Sequence, residues 1–238
     1  YMDHELMTMW LSVDPMADKY PGISPYAYCA WNPVKLVDPD GREIFYKEGK
    51  NHFVYKKNAE GKYGFYNCCT GEAYSGDNQK YVDDLTKALG QLKEGEHGNK
   101  LVSYFEGHQD RHVFIQEGQE NNQNGASIRW NNTEEDEMPV GTSLKDPVQI
   151  EPAATFVSLG HEMAHTRDAY KFGDKFKKMT KKEKEQRAML TENFIRKEHG
   201  LRQRTFYALK DEGSSVNYNS YPALVIPTLP VNLRQRNN

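Results

Sequence analysis

The feature that most constrains this chain is an H-E-x-x-H pentapeptide inside an apolar run. Residues 156–165 read Phe-Val-Ser-Leu-Gly-His-Glu-Met-Ala-His, so His161 and His165 are four residues apart. On an α-helix this spacing places both imidazoles on one face, one turn apart, where both can bind one Zn²⁺ at about 2.0–2.1 Å. Glu162 would not bind the metal; it would take a proton from the attacking water as general base. The motif predicts the active-site helix of a zinc hydrolase.

The residues around the motif favour a buried helix. Leu159, Met163 and Ala164 surround the polar triplet, and Pro152 marks a plausible first turn. The alternative is a solvated helix that happens to carry His, Glu and His, but such a helix would not be embedded in large apolar side chains.

Composition narrows the class of protein further. The chain has 238 residues, of which 37% are apolar and 27% charged, as in ordinary globular proteins. A net charge of −3 argues against a nucleic-acid partner held by phosphate contacts, and no apolar run reaches the length of a membrane span. Three cysteines without a C-x-x-C pair predict free thiols rather than a disulfide scaffold or zinc ligands. The first residue is Tyr1 rather than Met, which suggests the end of a longer polypeptide.

Residues 1–44 differ from the rest of the chain. Pro, Tyr and Asp interrupt this stretch so often that it predicts short extended pieces and turns without a core of their own. It resembles the end of the Rhs repeat-associated core, a large shell that encloses a variable toxin, and Pro33, Asp38, Pro39 and Gly41 match its closing P-x-x-x-x-D-P-x-G pattern. The resemblance implies a β-rich Rhs core remnant.

Some Rhs shells cut themselves just beyond this pattern with their own aspartates. By that resemblance Asp38, together with Asp40, is a candidate for releasing the downstream part. The alternative is that residues 38–41 only form a tight turn.

Residues 45–75 read as a β-hairpin linker. Phe53 and Tyr55 alternate with Val54, and Tyr63 and Phe65 follow after a four-residue connection that ends in Gly61. Helical periodicity then begins near residue 77, two strands are predicted at residues 111–116 and 126–130, and the H-E-x-x-H helix follows. The strand containing Ile128 is the candidate for an open edge on which a peptide substrate adds as an extra strand.

A third zinc ligand has to come from outside the pentapeptide. A metzincin would carry Gly and His where this chain has Asp168 and Lys171, so that class is excluded. A second helix, capped by Thr180, offers Glu192 beside an apolar patch, where an unpaired carboxylate would be costly without a cation. The competing carboxylates, which stand among lysines on the face expected to be wet, are Glu183, Glu185 and Glu198. Asp168 is a candidate to accept the ring N–H of a ligand histidine.

This part of the chain resembles the effector-type zinc metallopeptidases of family M91. The similarity runs over residues 76–210 and rests on Gly160 to His165, on Ile128 to Asn131, and on Thr191 to Gly200 followed by Arg204 and Tyr207. It implies that His161, His165 and Glu192 bind zinc with Glu162 as general base. The remaining implied roles concern Tyr207, which would donate to the oxyanion, Arg204, which matches the last motif, and Arg196, which would orient Glu192.

Together these patterns predict an α+β, zincin-like metallopeptidase with an H-E-x-x-H helix and a second ligand-bearing helix. The expected domains are the Rhs remnant 1–44, the hairpin linker 45–75 and a peptidase toxin domain 76–238. The resemblances imply that the protein is secreted by a bacterium and delivered into a target cell, where a protein is its substrate. They also imply two partners, which are the Rhs shell of the parent polypeptide and a cognate immunity protein. Two alternatives stay open: a catalytically silent zinc-fold binding module, and a cargo whose only chemistry is self-release near Asp38. A nuclease-like toxin is disfavoured by the acidic balance.

Overall fold

The structure, a computed structural model, describes residues 44–106, 111–133, 137–141, 149–207 and 222–223. Every described residue belongs to one compact unit, residues 43–238. The predicted Rhs remnant, with Asp38 and Asp40, therefore lies outside the described residues apart from its last position. The helices are α1 (Gln79–Glu94), α2 (Glu96–Glu106), α3 (Thr155–Phe172), α4 (Asp174–Lys178) and α5 (Lys181–Glu198). The strands are β1 (Ile44–Glu48), β2 (Asn51–Lys57), β3 (Tyr63–Asn67), β4 (Val113–Glu117), β5 (Asn122–Asn124), β6 (Ser127–Trp130), β7 (Glu137–Gly141), β8 (Gln149–Pro152) and β9 (Gln203–Arg204). This mixture confirms the α+β class.

The larger sheet contains six strands in the order β3-β2-β1-β4-β6-β5. The predicted hairpin forms as β2 and β3, and its turn is closed by Asn58, whose side-chain oxygen accepts hydrogen bonds from the backbone of Glu60 and Lys62. Gly61 has φ +80°, a conformation that suits glycine at the end of this turn. Because β1 pairs in parallel with β4, the hairpin continues the domain's own sheet. The strands predicted for the hairpin linker 45–75 thus lie in the same sheet and the same compact unit as the strands that follow, and the boundary at residue 75 stays a prediction.

The prediction that the strand containing Ile128 forms an open edge of the sheet is wrong. Strand β6 pairs in parallel with β4 on one side and antiparallel with β5 on the other, so its backbone is occupied within the sheet. Instead, β6 holds the start of α3, because the Trp130 indole N–H donates to the Thr155 carbonyl at 3.0 Å. Trp130 is fully buried and also packs against Tyr81 of α1.

One apolar core joins the inner face of this sheet to α1, α2 and α3. The stripe predicted for α1 is confirmed: Val82, Leu85, Leu89 and Leu92 are at most 3% exposed. Burying a side chain of this size stabilises the fold by about 1.5–3 kcal/mol each. The core encloses α3 on most of its circumference, which is why this helix carries so few exposed residues.

A smaller sheet, in the order β8-β7-β9, borders the carboxyl-terminal helix. Asn193 of α5 clamps β9, donating from its side-chain amide to the Arg204 carbonyl at 2.9 Å and accepting from the Arg204 backbone N–H at 2.7 Å. This clamp fixes Arg204 beside α5. None of the helices in the described part of the chain combines the length and the hydrophobicity that a membrane crossing requires.

Candidate metal centre

Helix α3 carries the H-E-x-x-H residues at the centre of the fold. His161, Glu162 and His165 are only 6–8% exposed, and the two imidazole rings lie 4.9 Å apart in an edge-on arrangement. Gly160 precedes them at a point of close packing: a Cβ atom there would lie 2.9 Å from the Ile195 side chain of α5 and 3.1 Å from Leu92 of α1. The missing side chain therefore allows α5 to approach the motif.

Helix α5 supplies two carboxylates to this interface. Its first turn is a capping box in which the Thr180 hydroxyl accepts from the Glu183 N–H and the Glu183 carboxylate accepts from the Thr180 N–H, as the sequence predicted for the cap. Glu185 and Glu192 follow seven residues apart, two helical turns, and so share one face of the helix. That face is turned towards α3, and Glu185 and Glu192 are 9% and 1% exposed.

Three donor atoms meet between the two helices. The Nε2 atoms of His161 and His165 lie 3.2 Å apart, and the Oε2 atom of Glu185 lies 3.2 Å from each of them. Within the described part of the chain, this is the group of side chains that could hold a metal ion. We call these three residues the donor triangle.

The size of the donor triangle fits zinc. With zinc–ligand bonds of about 2.0–2.1 Å, two ligands at tetrahedral positions are about 3.3–3.4 Å apart. All three sides of the donor triangle are 3.2 Å. Two imidazole nitrogens and one carboxylate oxygen are also the donor types found in catalytic zinc sites.

Glu192 lies on the opposite side of the His161 ring from the donor triangle. Its Oε2 atom contacts Nδ1 of His161 at 2.9 Å, whereas the triangle uses Nε2. The same oxygen accepts a hydrogen bond from Arg204 at 3.0 Å, and Oε1 lies 3.9 Å from Arg196. The carboxylate that the sequence favoured as third ligand is therefore bound to cations, and Glu185, which the sequence placed on the wet face, occupies the third corner. The two-turn spacing of these glutamates was the signal that both would face α3.

The charges of the site perturb one another strongly. Burial alone would lower the pKa of His161, but the hydrogen bonds to Glu185 and Glu192 outweigh it and raise the pKa to about 9. Burial works against ionisation of Glu185 as well, yet its hydrogen bonds with the two histidines hold its pKa below the usual value. Burial likewise opposes ionisation of Glu192, and the charge of Arg204 wins, which lowers the pKa to about 2. Without a metal, these carboxylates are stabilised by protonated imidazole and guanidinium groups.

Glu162 has a different environment from the other two glutamates. Burial raises its pKa, and the nearby positive charge of His161 and His165 only partly offsets this effect. Glu162 is not a member of the donor triangle. Its position next to His161 leaves it beside the triangle as a carboxylate without a ligand role.

Arg204 and Tyr207 reach the site from the segment that begins at β9. Besides Glu192, the Arg204 guanidinium donates to the backbone carbonyls of Phe206 and Tyr207. The Tyr207 side chain lies next to Glu185, and burial together with that negative charge raises the pKa of the phenol to about 12. The structure thus brings Tyr207 to the donor triangle, while Arg204 contacts Glu192 behind it.

The role expected for Asp168 does not match its contacts. Its carboxylate accepts hydrogen bonds from Arg167 of the same helix at 2.8 and 2.9 Å and from Arg187 of α5 at 2.6 Å, and the bond with Arg187 ties α3 to α5. These guanidinium groups occupy both oxygens of the Asp168 carboxylate. Arg196 lies one turn after Glu192, donates to the Arg202 carbonyl and is 1% exposed. Its contact with Glu192 is longer than that of Arg204.

Comparison with known proteins gives one family. The model of the peptidase M91 family, described as an effector protein, matches residues 70–188. The matched range contains the H-E-x-x-H helix and Glu185, and it ends before Glu192 and Arg204. Searches of curated proteins and of solved structures give no match.

Proposed function

Because this chain belongs to the peptidase M91 family of effector proteins, we propose that it is a zinc-dependent endopeptidase whose metal is held by His161, His165 and Glu185. The observation that carries this proposal is the donor triangle, with three sides of 3.2 Å. Without a metal, two ring nitrogens facing each other and one carboxylate oxygen would have to share protons at these distances. A single divalent cation satisfies all three atoms at once.

Zinc held by these three residues would polarise the scissile carbonyl and lower the pKa of a water molecule towards 7. Glu162 would act as general base, taking a proton from the attacking water and passing it to the leaving amine. The Tyr207 phenol remains protonated at neutral pH and donates a hydrogen bond to the oxygen that gains negative charge. The site then cleaves a peptide bond without a covalent intermediate.

Glu192 and Arg204 support this chemistry from behind the His161 ring. A carboxylate at Nδ1 favours the tautomer that carries its proton on Nδ1 and leaves the Nε2 lone pair directed at the metal. Arg204 keeps Glu192 ionised and also binds the backbone next to Tyr207. We therefore assign positioning roles to Glu192, Arg204 and Arg196, and a structural helix-tying role to Asp168.

The biological setting of this activity remains a proposal from sequence resemblance. An Rhs shell would enclose the peptidase, carry it out of a bacterium and deliver it to a target cell, where a protein is its substrate. A cognate immunity protein would protect the producer. Self-release near Asp38 and Asp40 stays a prediction for residues outside the described part of the chain.

The activity is tested by comparing wild type with Glu162→Gln. Both proteins are purified, their zinc content is measured, and both are incubated with a denatured protein mixture and with target-cell lysate. We expect one zinc per chain in both and new peptide termini only with wild type. Absence of zinc from both would overturn the ligand assignment. Zinc in both without any cleavage would favour the silent binding module.

A further inference from the structure

A lysine-rich stretch borders the donor triangle and stands out from the rest of the chain. Residues 171–187, which we call the basic segment, include the end of α3, all of α4 and the start of α5. The segment contains eight cations, namely Lys171, Lys175, Lys177, Lys178, Lys181, Lys182, Lys184 and Arg187, against the three anions Asp174, Glu183 and Glu185. The net charge of the basic segment is +5. Because the whole chain has a net charge of −3, the residues outside the segment carry a net charge of −8.

The three anions of the basic segment already have partners. Asp174 pairs with Lys177 at 3.0 Å, Glu183 closes the capping box, and Glu185 belongs to the donor triangle. Among the residues that the structure describes, Lys177 and Arg187 are the cations of the segment that form ion pairs with carboxylates. The exposed lysines, among them Lys181 and Lys182, are therefore available to a negatively charged partner.

The part of the basic segment that belongs to α5 begins one helical turn before Glu185 of the metal centre. Lys181 is the first residue of α5 and precedes Glu185 by one turn on the same helix face, about 6 Å along the axis. Its Nζ atom lies 5.4 Å from the centre of the Tyr207 ring. Since Tyr207 in turn lies next to Glu185, Lys181 stands beside a side chain that borders the donor triangle.

The carboxylates of the site, Glu185 and Glu192, are already paired with imidazole and guanidinium groups. The clustered exposed cations of the basic segment are therefore the charges that an approaching acidic peptide meets, and such a cluster attracts it and raises its rate of association. We propose that the basic segment selects substrates that carry Asp or Glu residues beside the scissile bond. This inference rests on the proposed peptidase function and names its substrate class.

The test uses Lys181→Glu/Lys182→Glu and the control Lys87→Glu. Both lysines occupy the first turn of α5, where acidic residues favour the helix, so the double variant is expected to fold. Lys87 is an exposed lysine of α1 outside the basic segment. Zinc content and thermal unfolding are measured for each variant to verify that the metal centre is intact.

Two peptides are compared as substrates. Both contain a sequence cut by wild type in a denatured lysate, and they differ only in three flanking residues, which are Glu in one peptide and Gln in the other. We expect the double variant to lower kcat/KM for the Glu peptide about tenfold or more, and for the Gln peptide less than about twofold. Raising the salt concentration should reduce the preference of wild type for the Glu peptide. The control should retain that preference.

A binding measurement separates failure of this inference from failure of the peptidase function. Fluorescent Glu-rich and Gln-rich peptides are titrated with zinc-loaded Glu162→Gln, with and without the two lysine reversals. Preferential binding of the Glu-rich peptide, lost on reversal, supports the proposal even when no cleavage is seen. Equal binding of both peptides overturns it. Binding of RNA or anionic vesicles that the reversals abolish, together with equal binding of the two peptides, also overturns it and assigns the segment to another polyanion.

Discussion

Replacing Glu185 and Glu192 separately by Gln tests the roles that we propose for the two glutamates of α5. Glu185 is the proposed zinc ligand, and Glu192 is the proposed positioning residue for His161. Zinc binding to structural sites with four protein ligands contributes about 10–16 kcal/mol, so that each ligand accounts for about 2.5–4 kcal/mol. Loss of Glu185 from the donor triangle should therefore weaken zinc binding by about two to three orders of magnitude. Loss of Glu192, for which we propose only the orienting of His161, should weaken it about 10- to 100-fold.

The two variants should also differ in the stability of the metal-free protein, and here Glu192→Gln should have the larger effect. Arg196 and Arg204 have side chains that are only 2% and 14% exposed, and both lie against Glu192. Glu192→Gln leaves these buried cations without a negative partner, which costs about 3–5 kcal/mol. Glu185 faces the histidines and no guanidinium group in the described residues, so Glu185→Gln should destabilise the metal-free protein less.

The assay is zinc competition with a chromophoric chelator, followed by chemical unfolding of the metal-free proteins. Glu183→Gln is the matched control, since it removes a carboxylate from the same helix outside the donor triangle and should leave zinc affinity unchanged. The reverse ranking of the zinc affinities of the two variants would refute this assignment. If Glu192→Gln abolishes zinc binding while Glu185→Gln retains it, then Glu192 is the ligand, as the sequence indicated.

Three further predictions concern neighbouring groups. Tyr207→Phe should lower kcat by about 10²- to 10³-fold with zinc content unchanged, as measured by steady-state kinetics, because a donor to the oxyanion is lost. Thr180→Ala should reduce the free energy of unfolding by about 1 kcal/mol, seen in urea titrations, because α5 loses its cap. In the metal-free protein the pKa of His161 is raised to about 9, so its contribution is complete below the unfolded value of about 6.5 and is lost as pH rises through 9. Urea titrations at rising pH should show this loss, and His161→Gln should not.

The sequence was most informative where local patterns decide the structure. The Thr180 cap, the apolar stripe of α1 and the 51–67 hairpin follow from short-range spacing and are all present. Which strands pair with each other was harder to predict, because the parallel pairing of β1 with β4 joins residues about seventy positions apart and leaves no local signal in the sequence. For the same reason β6 looked like an edge when β5, a short polar strand, in fact covers it.

The choice between Glu185 and Glu192 as the proposed third ligand shows the same limit of the sequence. Glu192 stands in an apolar stretch and Glu185 among lysines, so composition favoured Glu192 as the buried carboxylate. Both are buried, because they occupy the same face of α5. Which of them meets Nε2 of the histidines depends on how α5 packs on α3, and Arg204, which binds Glu192, arrives from a strand that the sequence did not predict.

We propose that His161, His165 and Glu185 hold one zinc ion. A crystal structure of the zinc-loaded Glu162→Gln protein with anomalous diffraction at the zinc edge would locate this ion. We expect one anomalous peak at about 2.0–2.2 Å from Nε2 of His161, Nε2 of His165 and a carboxylate oxygen of Glu185, with Glu192 still at Nδ1 of His161. A peak bonded to Glu192 in place of Glu185, or no peak between α3 and α5, would contradict it.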